Sequence, residues 1–161
     1  MFMTPKSAAP DPDCVQSERR HWMAVLARAP IDLLRASFED CPQCADVRRL
    51  VGPEIGLIQL RAKTPVTKTA FHLGEATVSR CVVELAGRRG YGVVLGSDLE
   101  RAELVAVFDA LLQDPQMYGE LRPKLLQPAE SAISVSRQRR ANTAQATAAH
   151  FFTAARGGKT P

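Results

Sequence analysis

Residues 76–113 read ATVSRCVVELAGRRGYGVVLGSDLERAELVAVFDALLQ, and this stretch decides the fold. Its first part predicts two β-strands, Ala76–Leu85 and Tyr91–Gly96, because both segments are rich in β-branched residues. The turn AGRRG between them is so short that the two strands must pair antiparallel. The last part, Ser97–Gln113, predicts a helix that begins with a capping box, Ser97 and Glu100, and lays a wide apolar face on the sheet.

The strand pattern extends upstream of this stretch. Ile55–Ala62 alternates apolar and polar side chains, and Val47–Val51 is predicted to be its hairpin partner across a turn at Gly52-Pro53-Glu54. The polar segment KTPVTKT is expected to form a loop before the strand at Ala76. Together these segments predict a four-stranded antiparallel sheet.

Helices are predicted before and after the strands. Ser17–Ala29 and Ile31–Asp40 are expected to pack as a helical hairpin, with Trp22 on the apolar stripe of the first helix. A long, alanine-rich helix is predicted at the C-terminus. The fold class is therefore α+β. The predicted division of the chain is a disordered leader at 1–16, an α+β domain at 17–127 and a C-terminal helical arm at 128–157.

Charge is distributed unevenly along the 161 residues. The net charge is +4, but residues 1–120 carry −2 and residues 121–161 carry +6. Such a basic tail is typical of binding to nucleic acid, to an acidic protein surface or to a phosphorylated ligand, and charge alone does not choose between them. There is no apolar run of about 20 residues and no signal-peptide pattern, so we expect a cytoplasmic protein without a membrane partner.

Two short motifs, at residues 41–44 and 158–160, are weak. Cys41 and Cys44 form a C-x-x-C pair, which is half a zinc site, and no second pair of ligands has the right spacing. We expect an ordinary loop with free thiols and no metal. Gly158-Lys159-Thr160 resembles the end of a P-loop, but Thr153 stands where the motif needs glycine.

A third motif, Gly90, Gly92 and Gly96, resembles a dinucleotide fingerprint. The residues between these glycines have strand composition, so we expect the glycines to mark a turn and close packing in a strand. No carboxylate pair or nucleophile motif stands out anywhere, so catalytic residues are unknown and an active site of the chain's own is not expected.

Large aromatic residues and the basic helix indicate a partner interface instead. Aromatic side chains anchor many interfaces, and the alanine-rich helix has little apolar area with which to fold onto its own domain. We expect its arginines to meet acidic partner residues; attraction of an anionic ligand is the alternative. The predicted interface residues are Trp22, Arg137, Arg140, Ala144, Ala148, Phe151, Phe152 and Arg156.

Five blocks of sequence, in order and covering residues 18 to 158, resemble the PhnG family of carbon–phosphorus lyase subunits. The blocks are Arg20-His21-Trp22-Met23 with Val25-Leu26-Ala27, Leu73-Gly74-Glu75-Ala76-Thr77 with Arg80, Gly90-Tyr91-Gly92 with Leu95-Gly96-Ser97-Asp98, Arg101-Ala102-Glu103 with Asp109-Ala110-Leu111, and Phe151-Phe152-Thr153 with Arg156-Gly157.

The resemblance implies an accessory subunit in organic phosphonate catabolism. It implies work with PhnI, PhnH and PhnL to join an alkylphosphonate to C1 of the ribose of ATP with release of adenine, within a core complex that also holds PhnJ. PhnI would be the main partner. ATP would be a substrate of the complex, with no cofactor bound by this chain alone. The alternative is a small basic nucleic-acid-binding module, although no helix-turn-helix, RRM or zinc-finger signature is present.

Overall fold

The computed structural model describes the backbone of residues 12–147 and the side chains of residues 16–147. Five helices, three strands and two short helical turns follow one another in this part of the chain. They are α1 (Pro12–Leu26), α2 (Ile31–Glu39), a 3-10 turn (Pro42–Asp46), β1 (Arg48–Lys63), β2 (Ala70–Leu85), β3 (Arg88–Leu95), α3 (Leu99–Leu112), α4 (Pro115–Leu121), a π-helical turn (Arg122–Leu126) and α5 (Gln127–Ala146). The fold class is α+β, as predicted.

The sheet has three antiparallel strands in the order β1-β2-β3, so the predicted four-stranded sheet is wrong. The two segments expected to form a hairpin are one continuous strand, β1, and both pair with β2. The register passes from Val51 opposite Val82 to Glu54 opposite Arg80, so β1 carries one extra residue there and forms a β-bulge. Proline is tolerated in this place because β1 is an edge strand, where a missing N–H costs no ladder hydrogen bond.

The turns explain the other strand boundaries. The polar loop predicted at residues 63–69 is confirmed: Thr64–Thr69 joins β1 to β2. The next turn needs only Ala86 and Gly87, whose φ angles of 49° and 73° suit a two-residue hairpin. As a result, Gly90 lies inside β3 and not in the turn.

Helix α3 is the centre of the molecule, because it contacts the sheet on one side and α1, α2 and α4 on others. Nearly all of its residues from Ala102 to Leu112 are buried. The predicted capping box places the N-cap at Ser97, but the helix begins one residue later. Asp98 is the N-cap, and its carboxylate accepts a hydrogen bond from the Arg101 backbone N–H at 3.0 Å.

The N-terminal helices differ from the predicted hairpin. Each packs on α3, and they make little contact with one another. The predicted stripe of α1 is confirmed, since Trp22, Val25, Leu26 and Ala29 are all buried. Helix α1 begins at Pro12, so the predicted start at Ser17 lies inside the helix.

Helix α5 leaves the domain soon after it begins. Ala129 is fully buried and Ile133 packs against the core, but every residue from Ser134 to Thr147 is exposed. Residues 148–161, which include the rest of the predicted arm, lie outside the described residues. No helix in the described part of the chain has the length and apolar character that crossing a membrane requires.

Candidate functional site

Trp22, predicted as an interface anchor, belongs to the core of this chain. It is 4% exposed, packs against Tyr118 with ring centroids 5.7 Å apart, and donates an Nε1–H hydrogen bond to Asp109 Oδ1 at 3.0 Å. Because its ring and its one polar atom already have partners within the chain, Trp22 is not available as an interface anchor in this structure. The sequence pattern was ambiguous here, since the same apolar stripe suits a core and an interface.

Asp109 is the polar residue that the sequence analysis missed. It is fully buried on α3, and both carboxylate oxygens accept hydrogen bonds. Arg19 donates to Oδ2 at 2.6 Å and to Oδ1 at 3.1 Å, and the Tyr91 backbone N–H donates to Oδ2 at 3.0 Å. The bond to Asp109 raises the pKa of Arg19, so this guanidinium stays charged. One carboxylate therefore ties α1 and β3 to α3. The available signal was a lone charge inside the apolar run LVAVFDALL.

Cys41 and Cys44 are free thiols at the 3-10 turn, but they lie in the core and not in an exposed loop. Burial is the main cause that raises the pKa of the Cys44 thiol, and a hydrogen bond with Cys41 adds to it. The Cys44 thiol is therefore protonated near neutral pH, and a protonated thiol is a poor nucleophile. Within residues 16–147, no cluster of three or more His, Cys, Asp and Glu side chains could hold a metal ion.

The remaining interface residues lie on or beyond the exposed part of α5. Arg137, Arg140 and Ala144 are exposed, as an arm that meets a partner requires. Ala148, Phe151, Phe152 and Arg156 lie outside the described residues. The partner interface on this arm stays a prediction.

A second surface, which the sequence analysis did not identify, is formed by the strands. Strand β3 pairs with β2 only from Val78 to Leu85, so residues 57–63 and 70–77 continue beyond it as a two-stranded ribbon. We call these residues the apolar ribbon. Its side chains are unusually apolar for their exposure: Leu57 is 65% exposed and Leu73 63%. Isolated two-stranded ribbons are marginally stable in water, so such a ribbon gains stability from a partner.

The apolar ribbon continues into the face of the sheet that α3 does not cover. Along β3, buried residues alternate with Tyr91, Val93 and Leu95, which are 43%, 50% and 76% exposed. Residues directly opposite one another in antiparallel strands share a face, so this row is beside Val82, Arg80 and Val78 of β2. Exposed apolar patches of this kind mark interaction sites. The signal in the sequence was that, from Gly90 to Leu95, both sets of alternating positions in β3 are apolar, aromatic or glycine.

The described residues thus present two exposed surfaces: the apolar ribbon with the adjoining face of the sheet, and the exposed part of α5. The side chains of residues 16–147 include no buried polar atom without a hydrogen-bond partner. Asp109, the one fully buried carboxylate of this described part of the chain, accepts four hydrogen bonds.

Comparisons with known proteins agree with one another. A family model described as phosphonate metabolism protein PhnG matches residues 17–157. A relative from Rhizobium meliloti (strain 1021), named alpha-D-ribose 1-methylphosphonate 5-triphosphate synthase subunit PhnG, is 38% identical over 149 residues. The match covers 90% of this chain and 93% of the relative.

Proposed function

The chain belongs to the PhnG family of phosphonate metabolism proteins, and from this premise we propose that it is an accessory subunit of a synthase complex. The relative's name describes a subunit of alpha-D-ribose 1-methylphosphonate 5-triphosphate synthase. We propose the same reaction here: a phosphonate oxygen forms a bond to C1 of the ribose of ATP while the bond from C1 to adenine breaks, and adenine leaves. Family membership favours this role over nucleic-acid binding.

The observation that carries the proposal is the apolar surface on the strands. A chain that exposes Leu57, Leu73 and Leu95 by more than 60% of their area has a surface that a larger assembly would cover. We propose PhnI as the main partner, with PhnH and PhnJ in the same core and PhnL needed for the reaction. The role of this chain is to dock and position those subunits, in the cytoplasm.

Adenine release tests the role directly. We expect the purified chain to release no adenine from ATP and methylphosphonate, because no acid/base pair or nucleophile motif able to act at C1 of ribose stands out in its sequence. We expect PhnI, PhnH and PhnL to release adenine when the chain is added and much less without it. Chromatographic detection of adenine measures this. Release by the chain alone, or equal release without it, would contradict the proposal.

The apolar ribbon gives a test of docking. Changing Leu57 and Leu73 together to lysine should weaken co-assembly with the partner subunits at least tenfold, because two charges would enter an apolar contact. Both side chains are exposed, so the free subunit should stay folded by circular dichroism. Gln116→Lys is the matched control, since it adds a charge at an exposed glutamine of α4, outside the ribbon. Equal assembly by the double variant and the control would show that the ribbon is not the contact.

A further inference from the structure

Four arginines from three separate elements converge on one groove beside α5. Arg28 lies just after α1, Arg101 in the first turn of α3, and Arg137 and Arg140 on the exposed part of α5. Ile133 and Ser136 complete the lining, and the groove encloses about 360 Å³. This volume is within the range of small-molecule sites, which is roughly 300–1,000 Å³.

The described residues do not balance the charge in the groove, because none of their carboxylates lines it. Arg101 pairs with Asp98 at 3.1 Å and donates to the carbonyl of Ala29. Across residues 16–147, no ion pair involves Arg28, Arg137 or Arg140. Four guanidinium groups therefore line the groove, and Arg101 is the one among them that forms an ion pair within residues 16–147, with Asp98 outside the lining.

Placing four arginines around one groove lowers the stability of the folded chain unless an anion is bound between them. Arg137 and Arg140 are one helical turn apart, and like charges at this spacing destabilise a helix. Facing them with two more guanidinium groups increases the repulsion. An anion bound in the groove replaces this repulsion between guanidinium groups with attraction, because arginine forms paired, charge-assisted hydrogen bonds with phosphate oxygens.

The number of charges indicates which anion fits. A single phosphate or phosphonate carries roughly two negative charges near neutral pH, whereas a triphosphate chain carries roughly four. The groove's three unpaired guanidinium groups and the partly engaged Arg101 match the longer chain. Its concave form, with donors from three elements around an apolar side chain, suits a small molecule better than a flat protein contact.

We propose that this groove binds the triphosphate chain of a nucleoside triphosphate or of a ribose triphosphate derived from it. The identification of ATP as the natural ligand rests on the proposed function, while the binding of triphosphate by the groove rests on its residues alone. The arm of α5 would then have two roles, because it carries half of the ligand's contacts in addition to its predicted partner contacts.

Titration calorimetry of the full chain with tripolyphosphate tests the proposal. We expect saturable binding at one site, and similar binding of ATP. Arg137→Gln and Arg140→Gln should each weaken it about tenfold, the scale of one charge-assisted hydrogen bond. Arg139→Gln is the matched control: it removes the same charge from the same helix at a residue outside the lining, and should change the affinity less than twofold.

Three results would overturn the proposal. They are no binding of tripolyphosphate, equal losses in Arg139→Gln and Arg140→Gln, and equal affinity for methylphosphonate and tripolyphosphate. Binding of polyglutamate, without binding of tripolyphosphate, would assign the groove to an acidic partner segment and would also overturn it. The experiment uses no other subunit, so its failure would leave assembly and adenine release to decide the proposed function separately.

Discussion

Replacing Gly92 with alanine is expected to lower the free energy of unfolding by about 3 kcal/mol or more, the severe end of overpacking effects. A Cβ added at Gly92 would lie 1.9 Å from the Ala102 carbonyl oxygen and 2.9 Å from the Ala106 backbone nitrogen. Both atoms belong to the backbone of α3, so no side chain can rotate away. The helix would have to move off the sheet, and the core on both sides of it would loosen.

Urea denaturation followed by circular dichroism measures this loss. Gly56→Ala is the matched control, because Gly56 is also in a strand, has no positive φ, and no heavy atom lies within 4 Å of its added Cβ. The control should change stability by less than about 1 kcal/mol. A Gly92→Ala variant as stable as Gly56→Ala would contradict the close approach of α3 and β3.

Removal of the buried carboxylate should have an effect of similar size. Asp109→Ala is expected to cost about 3–5 kcal/mol, as for a buried charge pair that loses one member. The Trp22 Nε1–H and the Tyr91 N–H would lose their acceptor, and Arg19 its counter-charge. With a total stability of about 5–15 kcal/mol for a typical domain, such a loss would leave the fold marginal.

The same urea denaturation measurement, with an exposed aspartate as the control position, checks this second prediction. Asp32→Asn is the control, since the Asp32 side chain is 90% exposed and its contact with Arg35 is 3.5 Å long. We expect a change within about 0.5 kcal/mol there. If Asp109→Ala loses no more stability than Asp32→Asn, the hydrogen bonds of Asp109 do not join α1 and β3 to α3.

The glycines show how a local pattern can be interpreted correctly. Strand composition around Gly90 and Gly92 predicted close packing, and the structure confirms it. Gly90 faces Ala106 and Ala110, while Gly92 faces Ala102 and Ala106. Small residues two apart on a strand thus meet small residues four apart on a helix. Both spacings are visible in the sequence, because each belongs to one element's own periodicity.

The β-bulge at Gly52-Pro53 shows where interpretation of a local sequence pattern was wrong. Gly52-Pro53 is a common turn signal, and within five residues nothing distinguishes a turn from a bulge. The difference lies in β2, which is 16 residues long and pairs with both halves of β1. A Cβ at Gly52 would lie 2.7 Å from the Arg80 carbonyl oxygen, so the glycine is needed where β1 crosses close to β2. Only the pairing partner decides between the two structures.

The sequence by itself determined the α+β class, the helix at α3, the stripe of α1 and membership of the PhnG family, because these depend on periodicity and on order along the chain. The tertiary structure alone decided that Trp22 belongs to the core, that Asp109 joins three elements, that an apolar ribbon stays uncovered and that four arginines share a groove. These features depend on residues far apart in sequence: Arg19 and Asp109 are 90 positions apart. Local preferences act within a few residues, and burial is decided by what the rest of the chain packs against each side chain.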